Sequence, residues 1–244
     1  MSGRCWRGWG LDRVLLAALL LVIPAGAVFA QGGDPVQQSE LDERVRSFLD
    51  RNQRSWRDMN VPRIDGQKLY ELILENGYTR AVEVGTSTGH SGIWMAWALS
   101  KTGGKLLTIE IDEQRHSEAL ANFEAAGLSQ YVDARLADAH VLVPDLPGPY
   151  DFVFLDADKD WYLEYFQWLY PKLVVGGCVT AHNVAPPRSG SDWRSRGRRG
   201  ARGTEEFVEA LLKTSDLETE FFQRGSGLSI SYRKPASEPP DPLL

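Results

Sequence analysis

Disulfide bonds have no place in this chain. It carries two cysteines; Cys5 falls in an N-terminal leader and Cys178 in a predicted strand, so a mature chain would keep one thiol with nothing to pair it. Cys178 reads as a small core residue. The glycine signatures of phosphate binding are missing too. Neither G-x-G-x-x-G nor G-x-x-x-x-G-K-[ST] follows a strand, which weakens pyrophosphate and nucleoside-triphosphate readings. No internal repeat is present, and no excess of positive charge: the formal charge is −6. That acidity argues against a general nucleic-acid binder.

The composition, 43% hydrophobic and 25% charged over 244 residues, has room for one large globular domain. The start differs from the rest. Arg4, Arg7 and Arg13 precede an apolar run, and Val28 and Ala30 stand where the −3 and −1 residues of a cleavage site would be. Residues 1–30 therefore read as a secretory signal peptide, which implies export to a periplasm or the exterior. The alternative is an uncleaved membrane anchor, since Val14 to Ala30 gives 17 residues, against a minimum of about 17 for a spanning helix. Pro24 and Gly26 interrupt the run and favour cleavage. Cutting there removes three Arg and one Asp, a loss of two positive charges that takes −6 to −8.

Residues 31–39, QGGDPVQQS, read as a polar linker, 40–234 as a single domain, and the Pro-rich 235–244 as a disordered tail. Residues 40–56 and 65–76 are helix-like, with Leu69, Leu72 and Ile73 on one face and Gly77 as a stop. Strands and helices then alternate: AVEV (81–84), a helix near 91–100, KLLTIEI (105–111), a helix through Ala126, YVDARL (131–136), DFVFLD (151–156), a helix from Tyr162, and LVVGGCVTA, with a tight Gly-Gly turn. Such alternation means a parallel sheet covered on both faces. A helix (205–213) and two strands, 217–223 and 228–233, joined by RGSG, end the domain as an antiparallel hairpin. The segment 187–203 holds six arginines among glycines and serines. It reads as a solvated loop, or alternatively as a lid adding positive charge for an anionic substrate.

In VEVGTSTGHS (82–91) a strand meets a helix through a Gly-bearing turn, the usual ligand position in an open parallel sheet. Gly85 and Gly89 allow close backbone approach, and Ser91 suits a helix start. Glu83 is unexpected in an apolar strand, because a buried carboxylate needs a partner; pointing at the turn, it would hold an ammonium. Glu110 ends the next strand, where an acid can accept both ribose hydroxyls. A nucleoside bearing an amino acid and no phosphate satisfies both, and that ligand is S-adenosylmethionine.

Several motifs then agree in order: MNVPRIDGQKLYELI, VEVGTSTGHSGIWMAWAL, LLTIEID, ADA at 137–139, FVFLDADKDWY and AHNV. From about residue 59 to 233 the chain resembles the catechol/caffeoyl-CoA type of O-methyltransferase, class I S-adenosylmethionine enzymes. The resemblance implies a doubly wound α/β domain of the Rossmann-like methyltransferase kind. Its sheet would have seven strands, six parallel and the last inserted antiparallel. It places Val61 beside the cofactor's carboxylate end, Glu83, Gly85 and Ser91 at the methionine part, Glu110 at the ribose, and Asp138 and Ala139 beside adenine. Ala137 departs from the family's usual glycine there.

For chemistry, the resemblance makes Asp156 a metal ligand at the cofactor edge and Lys159 the catalytic base. At the next strand end the family usually carries Asp-Asn, both binding Mg²⁺. Here Asn183 matches and His182 replaces the aspartate. Mg²⁺ prefers oxygen ligands, while imidazole suits Mn, Fe, Co or Zn. Three outcomes stand open: a transition ion on Asp156, His182 and Asn183; weak Mg²⁺ on Asp156 and Asn183; or a metal-free site with His182 assisting as a base. The expected acceptor is a hydroxyl of a small, aromatic or similarly planar molecule. Trp161, Tyr162 and Trp193 are candidates to line its pocket, with helix packing the alternative for the first two. Non-catalytic cofactor binding and a nicotinamide-dependent dehydrogenase are the competing functions. No nucleic-acid partner is expected, membrane contact follows only if the leader stays uncut, and a homodimer is left open.

Overall fold

The computed structural model describes residues 35–56, 59–187 and 201–235. The leader, the start of the linker, residues 188–200 of the arginine-rich segment with Trp193 and the tail beyond 235 lie outside the described residues. Among those described, no helix is long and apolar enough to cross a membrane.

Helices α1 (Pro35–Arg51) and α2 (Arg63–Asn76) precede the first strand. The helix α1 already includes Pro35, inside the segment read as linker, and it ends at Arg51 rather than 56. Long-range contacts account for the early start. Gln38 reaches Ser100 at 3.4 Å, while Asp42 accepts from Trp97 Nε1 at 2.7 Å and from Lys101 at 2.5 Å. Such tertiary anchors override the weak propensity of a Gln- and Ser-bearing stretch. In α2, Leu69, Leu72 and Ile73 are fully buried, and Gly77 ends the helix with φ of 66°. A glycine adopts that left-handed backbone without steric cost.

The alternation then runs as expected: β1 (Arg80–Val84), α3 (His90–Thr102), β2 (Lys105–Glu110), α4 (Glu113–Ala126), β3 (Val132–Leu136), α5 (Ala139–Asp145), β4 (Tyr150–Leu155), α6 (Tyr162–Leu169), β5 (Leu173–His182), α7 (Ala201–Lys213), β6 (Leu217–Phe222) and β7 (Leu228–Arg233). The seven strands form one sheet in the order β3-β2-β1-β4-β5-β7-β6. β1 pairs parallel with β2 and β4, β2 with β3, and β4 with β5; β7 lies antiparallel between β5 and β6. Six strands thus point one way and β7 opposes them.

The sheet is apolar on both faces. Along β4, Val153 and Leu155 pack with α6 and α7, whereas Phe152 and Phe154 pack with α2 and α3. The period of two sends alternate residues to opposite layers. Glu83 shares the α3 side with Ala81, which decides what it meets. Gly176 and Gly177 differ from expectation. They lie within β5 rather than in a turn, at a break in register where Tyr150 pairs Leu173 but Phe152 pairs Cys178. Gly176, at φ of 83°, lets the strand bulge and resume. Beyond the bulge Cys178 is a buried free thiol, as its strand position implied.

α2 and α3 meet without clearance at Gly66, where a Cβ would lie 2.2 Å from Trp94 Cδ1. Gly66→Ala should therefore lower stability by about 1–3 kcal/mol through overpacking. Urea unfolding would show this as a lower midpoint at unchanged slope.

Candidate active site

Every parallel strand delivers its carboxyl end to one edge of the sheet, and the predicted residues gather there. The turn after β1 is shaped by glycine. Gly85 has φ of 100°, and a Cβ on it would come within 2.5 Å of the Asp156 carbonyl oxygen. The β1 and β4 tips are therefore drawn together as only glycine permits. The Gly85 and Thr86 amides both donate to Ile109 O at 3.1 Å, which ties the turn to β2 as well. Gly89, with φ of 93°, opens α3.

Glu83 is completely buried beneath this turn. Ser91 Oγ donates to one carboxylate oxygen, and Thr108 Oγ1, its register partner on β2, donates to the other at 2.6 Å. Burial, reinforced by the charges of Asp156 and Glu110, outweighs these bonds and lifts its pKa to about 8. Ser91 and Glu83 are thus brought together as a brace under the turn. A ligand's ammonium would have to compete with two hydroxyls to touch Glu83 directly.

Glu110 is held differently. Its Oε2 accepts from the Ser87 amide at 2.7 Å, and its Oε1 from the Ile111 and Asp112 amides at 3.1 and 3.0 Å. Three of about four acceptor positions are filled, which leaves Oε2 able to take one more donor. Ser87 sits at φ of 48°, an uncommon value for a residue with a side chain, and this aims its amide at Glu110. Asp138 and Ala139 stand beside the same strand tip: the Ala137 amide bonds Glu110 O at 2.9 Å, and Asp138 caps α5 through the His140 amide at 2.9 Å. Val61 is buried, and its carbonyl is 2.9 Å from His90 Nδ1 at the start of α3. Trp94 Nε1 donates to the other ring nitrogen of His90 at 3.1 Å, which makes Nδ1 the donor toward Val61. Burial holds His90 down near a pKa of about 4, so it is neutral.

At the tips of β4 and β5 four charged side chains form a chain. Lys159 Nζ lies 2.8 Å from Asp156 Oδ1 and donates to Tyr162 OH at 2.6 Å. His182 Nδ1 is 3.2 Å from the Asp156 carboxylate, and its Nε2 is 3.1 Å from Asp65 Oδ2. Burial alone would depress the His182 pKa; the hydrogen bonds and charges of Asp156 and Asp65 win and raise it to about 9. Asn183, the next residue, turns out of the strand at φ of 58° and is exposed. Tyr162 is fully buried beneath Lys159, packs edge-on against Phe207, and lies within 3.0 and 3.1 Å of the Leu155 and His182 carbonyls. It belongs to the core, whereas Trp161 is 38% exposed beside His140, with ring centroids 4.0 Å apart.

Three contributors carry little mark in the sequence. Asp65 sits in the first turn of α2, where an acid is favourable for the helix dipole alone. His90 and Ser87 act through a ring nitrogen and a backbone amide. The only available signal for Asp65 was its place within RIDGQ, beside a glycine that lets α2 press on α3.

An open parallel sheet with an inverted strand between its last two, acids at the β1 and β2 tips and a Lys-Asp pair at β4 define a Rossmann-like methyltransferase domain. Comparison with known proteins narrows this. Residues 35–189 match the sequence profile of the O-methyltransferase family, and the chain belongs to that family. A catechol O-methyltransferase from Niastella koreensis is 42% identical over 107 residues, 42% of this chain and 48% of that protein. The chain thus spans about half of that relative's length. Caffeoyl-CoA O-methyltransferase 2 of Petunia hybrida is 32% identical over 195 residues, 73% of this chain and 78% of its own. Among solved structures, an O-methyltransferase from Bacillus cereus in complex with SAH superposes with a TM-score of 0.66 at 26% identity, covering 80% of this chain and 91% of that one. TomG from Streptomyces achromogenes, in complex with SAM, gives 0.66 at 27% identity, over 83% and 92%.

The brace under the turn has a pH signature. The Glu83 pKa is raised on folding from 4.5 to about 8, so its contribution to stability is full below the unfolded value and is lost as pH rises through the folded one. Urea unfolding of the ligand-free protein and of Glu83→Gln at pH 5 and pH 9 isolates this term. The difference should move in favour of the variant at pH 9 by at least about 1 kcal/mol, since one pKa unit is worth about 1.4.

Proposed function

We propose that this chain transfers the methyl group of S-adenosylmethionine to a hydroxyl of a small, planar, catechol-like aromatic acceptor. The observation that carries the reading is the Lys159–Asp156 pair, 2.8 Å apart, at a strand tip adjoining the Gly85 turn. Bound there, the sulfonium cofactor supplies an already activated methyl group. What remains for the protein is alignment and removal of the acceptor's proton.

Each part of the edge has a task. Glu110 keeps its free acceptor position for a ribose hydroxyl, and the Asp138–Ala139 corner lies beside the same strand tip for the base. Gly85 lets the ligand approach the backbone, while Glu83 and Ser91 hold the turn from below. Asp156 and Tyr162 hold the Lys159 amine at the strand tip, where its neutral form would take the proton of the acceptor oxygen. An oxygen held about 3–3.5 Å from the methyl carbon gains most of its rate from that placement. The family and the solved relatives named with SAM or SAH support this over a nicotinamide enzyme, whose glycine fingerprint the β1 turn lacks. The partly buried Lys159–Asp156 geometry supports turnover over cofactor binding alone.

Lys159→Met should cut kcat by about 10²–10⁴ on an accepted catechol, the usual worth of a general base. Calorimetry should show S-adenosylmethionine affinity within about twofold of wild type, because among the described residues Lys159 bonds Asp156 and Tyr162 rather than the Glu110 turn. Methyl transfer at the wild-type rate by Lys159→Met would overturn its role. A wild-type protein that binds no S-adenosylmethionine would overturn the function.

A further inference from the structure

Among the described residues no group of three or more His, Cys, Asp or Glu side chains could hold a metal ion. The cluster that the proposed chemistry leaves unused lies at the start of α3, where the chain between α1 and α2 crosses the turn after β1. Three side-chain contacts hold that crossing. The Trp56 ring stacks on His90, with centroids 4.6 Å apart and planes 14° from parallel. Asn60 Nδ2 donates to Thr88 Oγ1 at 2.9 Å, and Asn122 of α4 donates to the Thr88 carbonyl at the same distance. His90 Nδ1 meets the Val61 carbonyl, also at 2.9 Å.

That last bond is set from behind. The Trp94 indole can only donate, so His90 Nε2, 3.1 Å away, must accept and Nδ1 must carry the proton of the neutral ring. Trp94 cannot turn aside toward α2, because Gly66 lies against it with no room even for a Cβ. His90 and Val61 are both buried. Burial, with the Arg63 charge acting the same way, keeps the His90 ring neutral. The Val61 amide has no such partner: it finds no acceptor among the described residues. A buried amide without an acceptor is rare. A ligand carboxylate would complete the pairing, and the amino-acid end of the methyl donor carries one.

We propose that His90 is a positioning residue for the methyl donor: by pinning the Val61 carbonyl to the start of α3, it holds the Val61 amide for the carboxylate at the donor's amino-acid end. His90 acts through Val61 and touches no reacting atom. Trp94 sets which ring nitrogen donates, and Trp56 and the Asn60–Thr88 bond keep the crossing chain in place. The inference rests on the proposed use of S-adenosylmethionine, and its tests need no acceptor.

Calorimetry on the full chain with two ligands separates this role from a merely structural one. S-adenosylhomocysteine carries the amino-acid end, whereas 5′-methylthioadenosine is a thioether of the same nucleoside without it. His90→Phe keeps a ring for Trp56 to stack on and removes both nitrogens. It should weaken S-adenosylhomocysteine by about tenfold, roughly the worth of one hydrogen bond, and leave 5′-methylthioadenosine within about twofold of wild type. Equal losses for both ligands, or no loss for either in a folded variant, would overturn the proposal. Nitrogen-15 spectra of the wild-type histidine rings at pH 7 need no variant. His90 should be neutral with its proton on Nδ1; a proton on Nε2 alone, or on both nitrogens, would refute the arrangement. A wild-type protein that binds neither S-adenosylmethionine nor S-adenosylhomocysteine sinks the cofactor reading itself. Wild-type binding with an indifferent His90→Phe sinks only the role of His90.

Discussion

The Asp156 peptide is where the three central strands are made to agree. Its amide donates to Val84 O at 2.9 Å, and its carbonyl lies against Gly85 too closely for any side chain there. Its carboxylate joins Lys159 to His182 across the gap between β4 and β5. Move that one residue and the turn after β1, the helix start after β4 and the end of β5 lose their common reference. Parallel strands bring their carboxyl ends to one edge as a matter of topology, but topology alone does not set distances of about 3 Å. The glycine and the shared oxygen do.

That edge concentrates negative charge, and each acid is stabilised by different means. Glu83 is buried among hydroxyls and rises toward neutrality. Glu110 takes three backbone amides, which satisfy it while leaving one acceptor position outward. Asp156 is matched by two cations. These solutions are not interchangeable. Hydroxyls make a brace, amides make a receptor for hydroxyl groups, and cations make a centre whose charges respond to an incoming acceptor oxygen. The division of labour among the three follows from which partners the neighbouring elements can offer.

Much of this was legible in advance, for physical reasons. The apolar strands and the apolar faces of α2 and α3 record burial directly, so a parallel sheet ending in an antiparallel hairpin could be read from pattern, while the insertion of the last strand followed from the family resemblance. Gly85, Glu110 and Lys159 stand next to strand ends in the chain, and local order predicted their proximity. Asp65 did not show itself because its partner, His182, is far along the chain, and no local pattern encodes that pairing. The start of α1 was missed for the same reason: Gln38 and Asp42 are held by α3, not by their neighbours. Glu83 was recognised as anomalous, yet the direction it faces was decided by the pleat, which turns it toward α3 and Ser91.

The exchange of an acid for an imidazole at the end of β5 shows why the missing partner matters. A buried histidine beside Asp156 alone would face two poor choices. Neutral, it would present a lone pair to whatever lay behind it; charged, it would bury a proton with only one carboxylate, already shared with Lys159. Desolvation would then push the ring toward neutrality. Asp65 removes the dilemma by placing a second acceptor at 3.1 Å on the far nitrogen. The cost is a buried Asp65 side chain with one oxygen that no hydrogen bond among the described residues reaches. His182 and Asp65 therefore form a single device, and a substitution at either one should be read as a change to both.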